Sequence, residues 1–596
     1  MLCFIIVSSY RDHALKNLIQ SIKRDNKLNL SSIFIVNDTP FKEDKIIELY
    51  DSIYKKYNIN NDKILNFNAK GPNYGRYMMI EYIKTNFKKY TEFMLLDDDL
   101  EIPVGEKHWI DRFYTQYLLL KVDILSCIWN CDKEGKKRMH CSVLMVNNDD
   151  EVYRHNIQVN RLTLCHIPLA SFISNFDVFS KIQFSKDIKF YGDFLDLGFQ
   201  ILENRITCIC TPFLCLNHRY FLNRRPEMEI TRFNYNQYMN ILLGITIQKY
   251  KYRNLIITTD NIHSIIPKQF GFGSPKHLSD SWFVIERLIY DYLSMYYSNK
   301  IGFFNSFCEF NHLHNTNIIN LPNNTFYISH LPINKTERFS KFNLQELINE
   351  PRFMENISKI KTILCLSPKS KEFFKIHYPD KNVILNRHPI IPFNKIIRFS
   401  IKKYEENVNK RLIFSGFFYR DEKPFLECEA TNFKKIWYIG RDRKTLETKF
   451  PELDLNLIEE EIEIQYFEKN PNELMNRLED SIFMVNLIDA TANNTILDCI
   501  QSATPILVNK SEEIEYYLGK QYPMFYSSMD ELNKKLNNKE LIITTHEYLK
   551  NINIKPFSIK NIFNKIDLFY NNKHYPKNKK NIDSLQKIEK NELSKI

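Results

Sequence analysis

The chain has 596 residues, 44% of them hydrophobic and 26% charged, with 82 Lys and Arg against 71 Asp and Glu. It is too long for one ordinary core and too apolar for a disordered chain, and the length suits about three to four domain-sized units. Part of the net charge of +11 sits in the tail Lys573-His-Tyr-Pro-Lys577-Asn-Lys-Lys580, running on to Lys595; it reads as a solvated end, and no zinc-finger or other nucleic-acid signature accompanies it.

The first predicted strand is Leu2-Cys-Phe-Ile-Ile-Val7, followed by the polar Ser8-Ser-Tyr-Arg-Asp-His13. Leu15, Leu18, Ile19 and Ile22 then recur at helical spacing. A second strand, Ser32-Ile-Phe-Ile-Val36, stops at Asn37-Asp38-Thr39-Pro40. After a helical stretch come Gly71-Pro-Asn-Tyr-Gly-Arg76 and an amphipathic helix, then the apolar run Phe93-Met-Leu-Leu-Asp-Asp-Asp-Leu100. Read as a strand, that run carries Asp97 and Asp99 to a sheet edge on the same side, since strand side chains alternate. Two carboxylates on one side repel unless a cation lies between them, and a hard divalent ion that also grips a diphosphate removes the conflict. Alternating strands and helices predict an α/β sheet whose ligands sit outside the carboxyl ends of the strands. Asp38, Gly75, Arg76, Asp97 and Asp99 all fall at such ends or at helix starts.

On these residues, Met1 to about Tyr220 resembles a glycosyltransferase of GT-A fold, closest in pattern to the family-2 group and to the galactosyltransferase-like C-terminal motif. The resemblance implies that Asp38 reads the base or ribose and that Gly75 and Arg76 lie near the nucleotide. It also implies that Asp97 and Asp99 hold Mn²⁺ or Mg²⁺ on a sugar-nucleotide diphosphate, with Asp98 between them on the nucleotide side. Phe190-Tyr-Gly-Asp-Phe-Leu-Asp-Leu-Gly198 resembles the acceptor-side Gly-Glu-Asp-x-Asp-Leu motif, with Asp193 where Glu is usual and Phe194 where Asp is usual. Asp193 is the first candidate for catalytic base and Asp196 the reserve. The chemistry asks for a carboxylate to take the proton of a weakly nucleophilic acceptor hydroxyl and a metal to stabilise the leaving diphosphate. That set suits direct, inverting displacement; a retaining outcome stays open. His218, in Cys215-Leu-Asn-His218, is either a further metal ligand, as in some GT-A enzymes, or structural.

Beyond a linker placed at 251–274, alternation resumes. Asn324-Thr-Phe-Tyr-Ile-Ser-His330, Lys361-Thr-Ile-Leu-Cys-Leu-Ser367 and Val383-Ile-Leu-Asn-Arg-His-Pro389 read as strands, as do Arg411-Leu-Ile-Phe-Ser-Gly416, Lys435-Ile-Trp-Tyr-Ile-Gly440 and Ile482-Phe-Met-Val-Asn-Leu487. Ala492-Asn-Asn-Thr-Ile-Leu-Asp-Cys-Ile-Gln-Ser-Ala-Thr-Pro505 opens a helix from a polar loop. It resembles the nucleotide-binding end of GT-B glycosyltransferases, with Asp498 at the Glu position that holds the ribose hydroxyls and Ala503 in place of Gly. Asn493, Asn494 and Thr495 fall at the helix N-terminus, whose N–H groups suit a diphosphate. Ser415, Gly416 and Arg420 match the loop after the first strand of that half, with Arg420 a phosphate contact. His330 is placed opposite, as base or substrate contact.

The expected architecture is therefore a GT-A domain at 1–250 fused to a GT-B domain of two Rossmann-like lobes, 275–400 and 401–570, with a flexible tail at 571–596. The expected activity is that of a bifunctional hexosyltransferase using nucleotide sugars and building a glycan, glycolipid or glycoprotein acceptor. The alternatives are one active head with an acceptor-binding second half, or a sugar- or nucleotide-binding protein without turnover. The leading apolar run, about six residues, is too short for a signal-peptide core, and no stretch of about 18 apolar residues predicts a membrane span. A cytoplasmic location is expected, with peripheral contact at a membrane surface left open. The 12 cysteines suit reduced, buried positions, and the Cys208, Cys210, Cys215, His218 group lacks common zinc-module spacing.

Overall fold

The computed structural model describes residues 1–218 and 281–570 apart from short stretches, among them 26–31, 147–151, 185–192, 315–320 and 467–475. The expected linker and the lysine-rich tail lie outside the described residues. The chain divides into two compact units, one drawn from residues 1–262 with 291–299 and 394–396, the other from the remainder.

The first unit is built on one sheet whose strands, read across, are Thr163–Leu164, Cys208–His218, Ile124–Cys131, Ser171–Asn175, Glu92–Asp97, Leu2–Ser8, Ile33–Asn37 and Ile64–Asn66. The last four run parallel, so in chain order the core reads third, second, first, fourth. Ser171–Asn175 joins antiparallel to Glu92–Asp97. Leu2–Ser8 is apolar almost throughout because both of its faces are covered, as a central parallel strand requires. The helix Asp12–Asp25 buries Leu15, Leu18, Ile19 and Ile22, the positions its periodicity marks. The strand expected through Asp99 stops at Asp97, and Asp98 and Asp99 form a turn. Alternation along a strand therefore does not orient Asp99.

The second unit contains two all-parallel sheets. One has the order Phe303–Phe304, Thr325–Ser329, Ile360–Cys365, Asn382–Leu385. The other has the order Glu463–Gln465, Lys434–Tyr438, Arg411–Ser415, Ile482–Val485, Ile506–Asn509, Phe525–Tyr526. Counted from Arg411–Ser415, this is the 3-2-1-4-5-6 order of a doubly wound sheet. Each sheet has its own apolar cluster. The final helix, Ile559–Tyr570, returns to the first of them, where the buried Lys565 donates from Nζ to the Leu385 carbonyl at 2.7 Å.

Among the described residues no helix is long and apolar enough to cross a membrane. The described cysteines are free thiols, all buried except Cys215. Cys208, Cys210, Cys215 and His218 share one strand, and no group of three metal-ligating side chains occurs among the described residues.

Candidate functional site

In the first unit the sheet order reverses between Leu2–Ser8 and Glu92–Asp97, and the polar residues after these two strands meet there. Ser8 Oγ donates to Asp98 Oδ2 at 2.7 Å. Arg11 reaches from the start of its helix to place Nη1 3.2 Å from Asp98 Oδ1 and 2.5 Å from Asp99 Oδ2. Asp97 is held separately, its Oδ1 accepting from Arg76 Nη2 at 2.7 Å. His218 Nε2 lies 3.4 Å from Asp99 Oδ2, and its ring stacks on Trp129 with centroids 4.6 Å apart. Burial raises the Asp98 carboxyl, while at Asp99 burial is outweighed by His218 and Arg11, which hold it below the usual carboxylate range. Asp99 Oδ1 is buried with no hydrogen-bond partner among the described residues.

The other expected residues of this unit take supporting positions. Asp38 is buried, and its Oδ2 accepts from the Gly71 amide at 2.9 Å, tying the end of Ile33–Asn37 to the helix Pro72–Asn86. Burial pushes its carboxyl up to about 6. Gly75 lies inside that helix, where a Cβ would fall 2.3 Å from Val36 Cγ1, so the missing side chain permits close packing of helix on strand. Arg76 is buried, bonded to Asn73 Oδ1 at 3.0 Å and lying over the rings of Phe184 and Phe194. Asp193 opens the helix Asp193–Glu203, its side chain lying outside those described. Asp196, a turn on, accepts from Gln200 Nε2 at 2.8 Å.

In the second unit the doubly wound sheet reverses between Arg411–Ser415 and Ile482–Val485, and a second group converges there. Thr495 Oγ1 donates to Ser415 Oγ and accepts from Arg420 Nη2, both at 3.3 Å. Gly416 has φ +78°, and a Cβ on it would fall 1.6 Å from Arg420 Nη1. The guanidinium thus lies against the bare glycine. It pairs with no carboxylate among the described residues, its Nε has no partner, and burial pushes its pKa down to about 10. The helix Asn494–Ser502 is capped by Asn493, whose side chain accepts from the Ile496 amide at 3.2 Å, so Asn494 and Thr495 form the first turn beside Arg420. One turn later, burial raises the Asp498 carboxyl well above its ordinary range, and no hydrogen bond or ion pair among the described residues offsets this. Among the described residues the guanidinium meets no carboxylate and the carboxylate no cation, and the two, a helix turn apart, match an anion and a hydroxyl-bearing group respectively.

His330, just past Thr325–Ser329, stands in a buried polar cluster. Its Nε2 lies 3.0 Å from Glu286 Oε1 but out of hydrogen-bond alignment, and its amide donates to Glu309 Oε1 at 3.1 Å. Glu286 accepts from Ser306 Oγ at 2.6 Å and Asn305 Nδ2 at 2.9 Å, and Glu309 from Tyr327 OH at 2.5 Å. Burial pushes Glu309 up to about 7 and, helped by His330, His388 down to about 3. Only 3% of the His330 side chain is exposed, so the imidazole is more enclosed than an open substrate contact would be.

Sequence reasoning gave no role to Arg11, Glu286, Glu309 or Asp489. Asp489 accepts from the amides of Ile333 and Asn334 at 3.1 and 2.8 Å, fastening the two sheets of the second unit together. Arg11 alone had a readable signal, a charged residue directly after a predicted strand. The others acquire partners only through contacts across the fold.

No protein-family profile matches the chain, and no curated protein matches it. Among solved structures it is similar to WaaG, a glycosyltransferase involved in lipopolysaccharide biosynthesis, with 13% identity and a TM-score of 0.31 over 40% of this chain and 74% of that one. It is also similar to the alpha,alpha-trehalose 6-phosphate synthase of Burkholderia multivorans, with 9% identity and a TM-score of 0.34 over 49% of this chain and 75% of that one. The sucrose-phosphate synthase of Thermosynechococcus elongatus gives 9% identity and a TM-score of 0.35 over 50% of this chain and 79% of that one. Likenesses of this size leave the assignment to the residues themselves.

Proposed function

We propose that the chain is a glycosyltransferase with two nucleotide-sugar sites, a GT-A-like head in the first unit and a GT-B-like head in the second. It would add sugars to a glycan, glycolipid or glycoprotein acceptor. The observation that carries this reading is the Arg420 guanidinium, desolvated and without a carboxylate among the described residues, at the switch point of a 3-2-1-4-5-6 sheet. A buried cation without a counter-charge is costly unless a ligand supplies one, and a diphosphate at a helix N-terminus does so. Asp498, a turn along the same helix, would accept from the ribose hydroxyls, and Ser415, Gly416, Asn494 and Thr495 would close around the phosphates. His330 would serve as base or acceptor contact from the facing sheet.

In the first unit two carboxylates would serve as donors to a divalent ion, while no group of three metal-ligating side chains occurs among the described residues. The buried, unpartnered Asp99 Oδ1 and the Asp97 carboxylate are oxygen donors, and Mg²⁺ commonly takes one or two carboxylates and completes its shell from substrate phosphates and water. When bound, Mn²⁺ or Mg²⁺ would offset the charge building on the leaving diphosphate. Asp97 and Asp99 would hold it, with His218 beside Asp99. Asp98, bonded to Ser8 and Arg11, would stiffen the turn. Asp193 would take the acceptor proton, with Asp196 in reserve.

One observation favours a second reading, in which the second unit binds its ligand without turnover: the enclosure of His330 by Glu286 and Glu309. The deciding measurement is nucleotide release from a panel of nucleotide sugars, with and without Mn²⁺, by wild type, Asp97→Ala/Asp99→Ala and Asp498→Ala. With two active heads, each variant loses a different donor and only the first loss concerns the metal-dependent one. If the first variant loses all turnover and Asp498→Ala loses none, the second unit only binds. No release by wild type from any donor, with acceptor mixtures present, refutes the enzyme.

A further inference from the structure

The three carboxylates at the end of Glu92–Asp97 and in the turn after it are paired with two of the chain's arginines, and these two differ. Arg76, on Asp97, is 3% exposed and fixed by Asn73 and two aromatic rings. Arg11, on Asp98 and Asp99, keeps 29% of its side chain exposed, at the point where the sheet order reverses. Asp99 divides its two oxygens between opposite situations. Oδ2 faces Arg11 and His218, whereas Oδ1 is buried without a hydrogen-bond partner among the described residues. Burying a carboxylate oxygen unsatisfied is costly, and the cost is recovered when a ligand arrives.

We propose that Arg11 is the resident counter-ion of Asp99, and that it yields this place to a divalent cation only when a diphosphate is present to receive the guanidinium. This rests on the reading of the first unit as a metal and sugar-nucleotide site. With all three carboxylates ionised, the two guanidiniums leave one net negative charge before any charge on His218. A divalent ion entering alone overshoots neutrality and stands against Arg11 at close range, so it binds weakly. A diphosphate entering with the ion restores the balance, and the planar guanidinium fork suits phosphate oxygens. Arg11 thereby makes metal and nucleotide binding strongly interdependent and keeps the free protein from taking up the metal by itself.

The test is Mn²⁺ binding to the full chain, read from the spin-resonance signal of free Mn²⁺, alone and with uridine, guanosine, cytidine and adenosine diphosphates in turn. Asp97→Ala/Asp99→Ala supplies the background from Mn²⁺ held by nucleotide in solution. Wild type is expected to bind Mn²⁺ weakly alone and about a hundredfold more tightly with one of the diphosphates. Arg11→Ala is expected to bind Mn²⁺ alone roughly tenfold more tightly than wild type, with the gain from diphosphate cut to about tenfold or less. Because that variant takes from Asp98 and Asp99 the guanidinium they share, Arg11→Lys is the folded control. It retains the competing charge, so Mn²⁺ alone binds as weakly as in wild type, while the diphosphate gain falls severalfold with loss of the fork. If wild type shows the coupling and Arg11→Ala binds Mn²⁺ alone no more tightly, the role of Arg11 is overturned and the metal site stands. If wild type binds no Mn²⁺ above background with any diphosphate, both are overturned.

Discussion

Ala503 ends the helix Asn494–Ser502 in the left-handed region, at φ +54°. It occupies the place where the resembling motif carries glycine, so the backbone demands the glycine conformation although the side chain has changed. An alanine in that region costs about 1 kcal/mol relative to glycine, so Ala503→Gly is expected to raise stability by about that amount in urea unfolding. Gly416 is the converse case. Its φ of +78° and the 1.6 Å approach of Arg420 leave no room for a methyl group. Gly416→Ala is expected to push the guanidinium aside and weaken nucleoside diphosphate binding by about the 1.5–3 kcal/mol of a charge-assisted hydrogen bond, measured by titration calorimetry. Arg420→Ala should weaken it at least as much, whereas unchanged affinity in both variants would remove Arg420 from the phosphate site.

Among elements, the strand Thr325–Ser329 and the helices Ser281–Tyr297 and Ser306–His314 bring two glutamates, a histidine and a tyrosine into one buried cluster. Glu309, raised from 4.5 to about 7 mainly by burial, holds its proton in the folded chain at pH values where the unfolded chain has released it. Fewer protons are then bound in the unfolded state between those two values, so stability falls as pH rises through that window. Glu309→Gln keeps the volume and removes the titration. Its urea midpoint is expected to drop less than that of wild type between about pH 4.5 and about pH 7. Equal slopes would mean that the carboxyl is not protonated in the native state. On the other unit's helix Pro72–Asn86, Gly75→Ala forces a methyl into Val36 and is expected to cost about 1–3 kcal/mol by overpacking, read from the thermal melt.

At the scale of the molecule, each unit has its own core and its own polar group at strand carboxyl ends. If both polar groups hold nucleotide, the binding losses of Asp97→Ala/Asp99→Ala and Asp498→Ala should add in the combined variant, within about 0.5 kcal/mol, in diphosphate titrations. A larger departure would mean that the two sites communicate. Much of the α/β alternation was legible in the chain, because short runs such as Leu2–Val7 and Ile482–Val485 are buried on both faces and therefore apolar throughout. The polar residues that follow those runs were legible for the same reason: a parallel strand must end where its cover ends. What the sequence determined by itself was thus part of the strands, Leu2–Ser8 and Arg411–Ser415 among them, and the residues standing at their carboxyl ends, whereas Ile64–Asn66, Ile124–Cys131 and Ser171–Asn175 were not read from it. Which of those residues touch was decided only by tertiary structure. Sheet order brings Arg11 to Asp98 and Asp99 across more than 80 residues, and His330 to Glu286 across more than 40. Periodicity records which face of an element is covered, whereas the partner of a polar side chain depends on which strands become neighbours, a choice made by packing the whole chain at once.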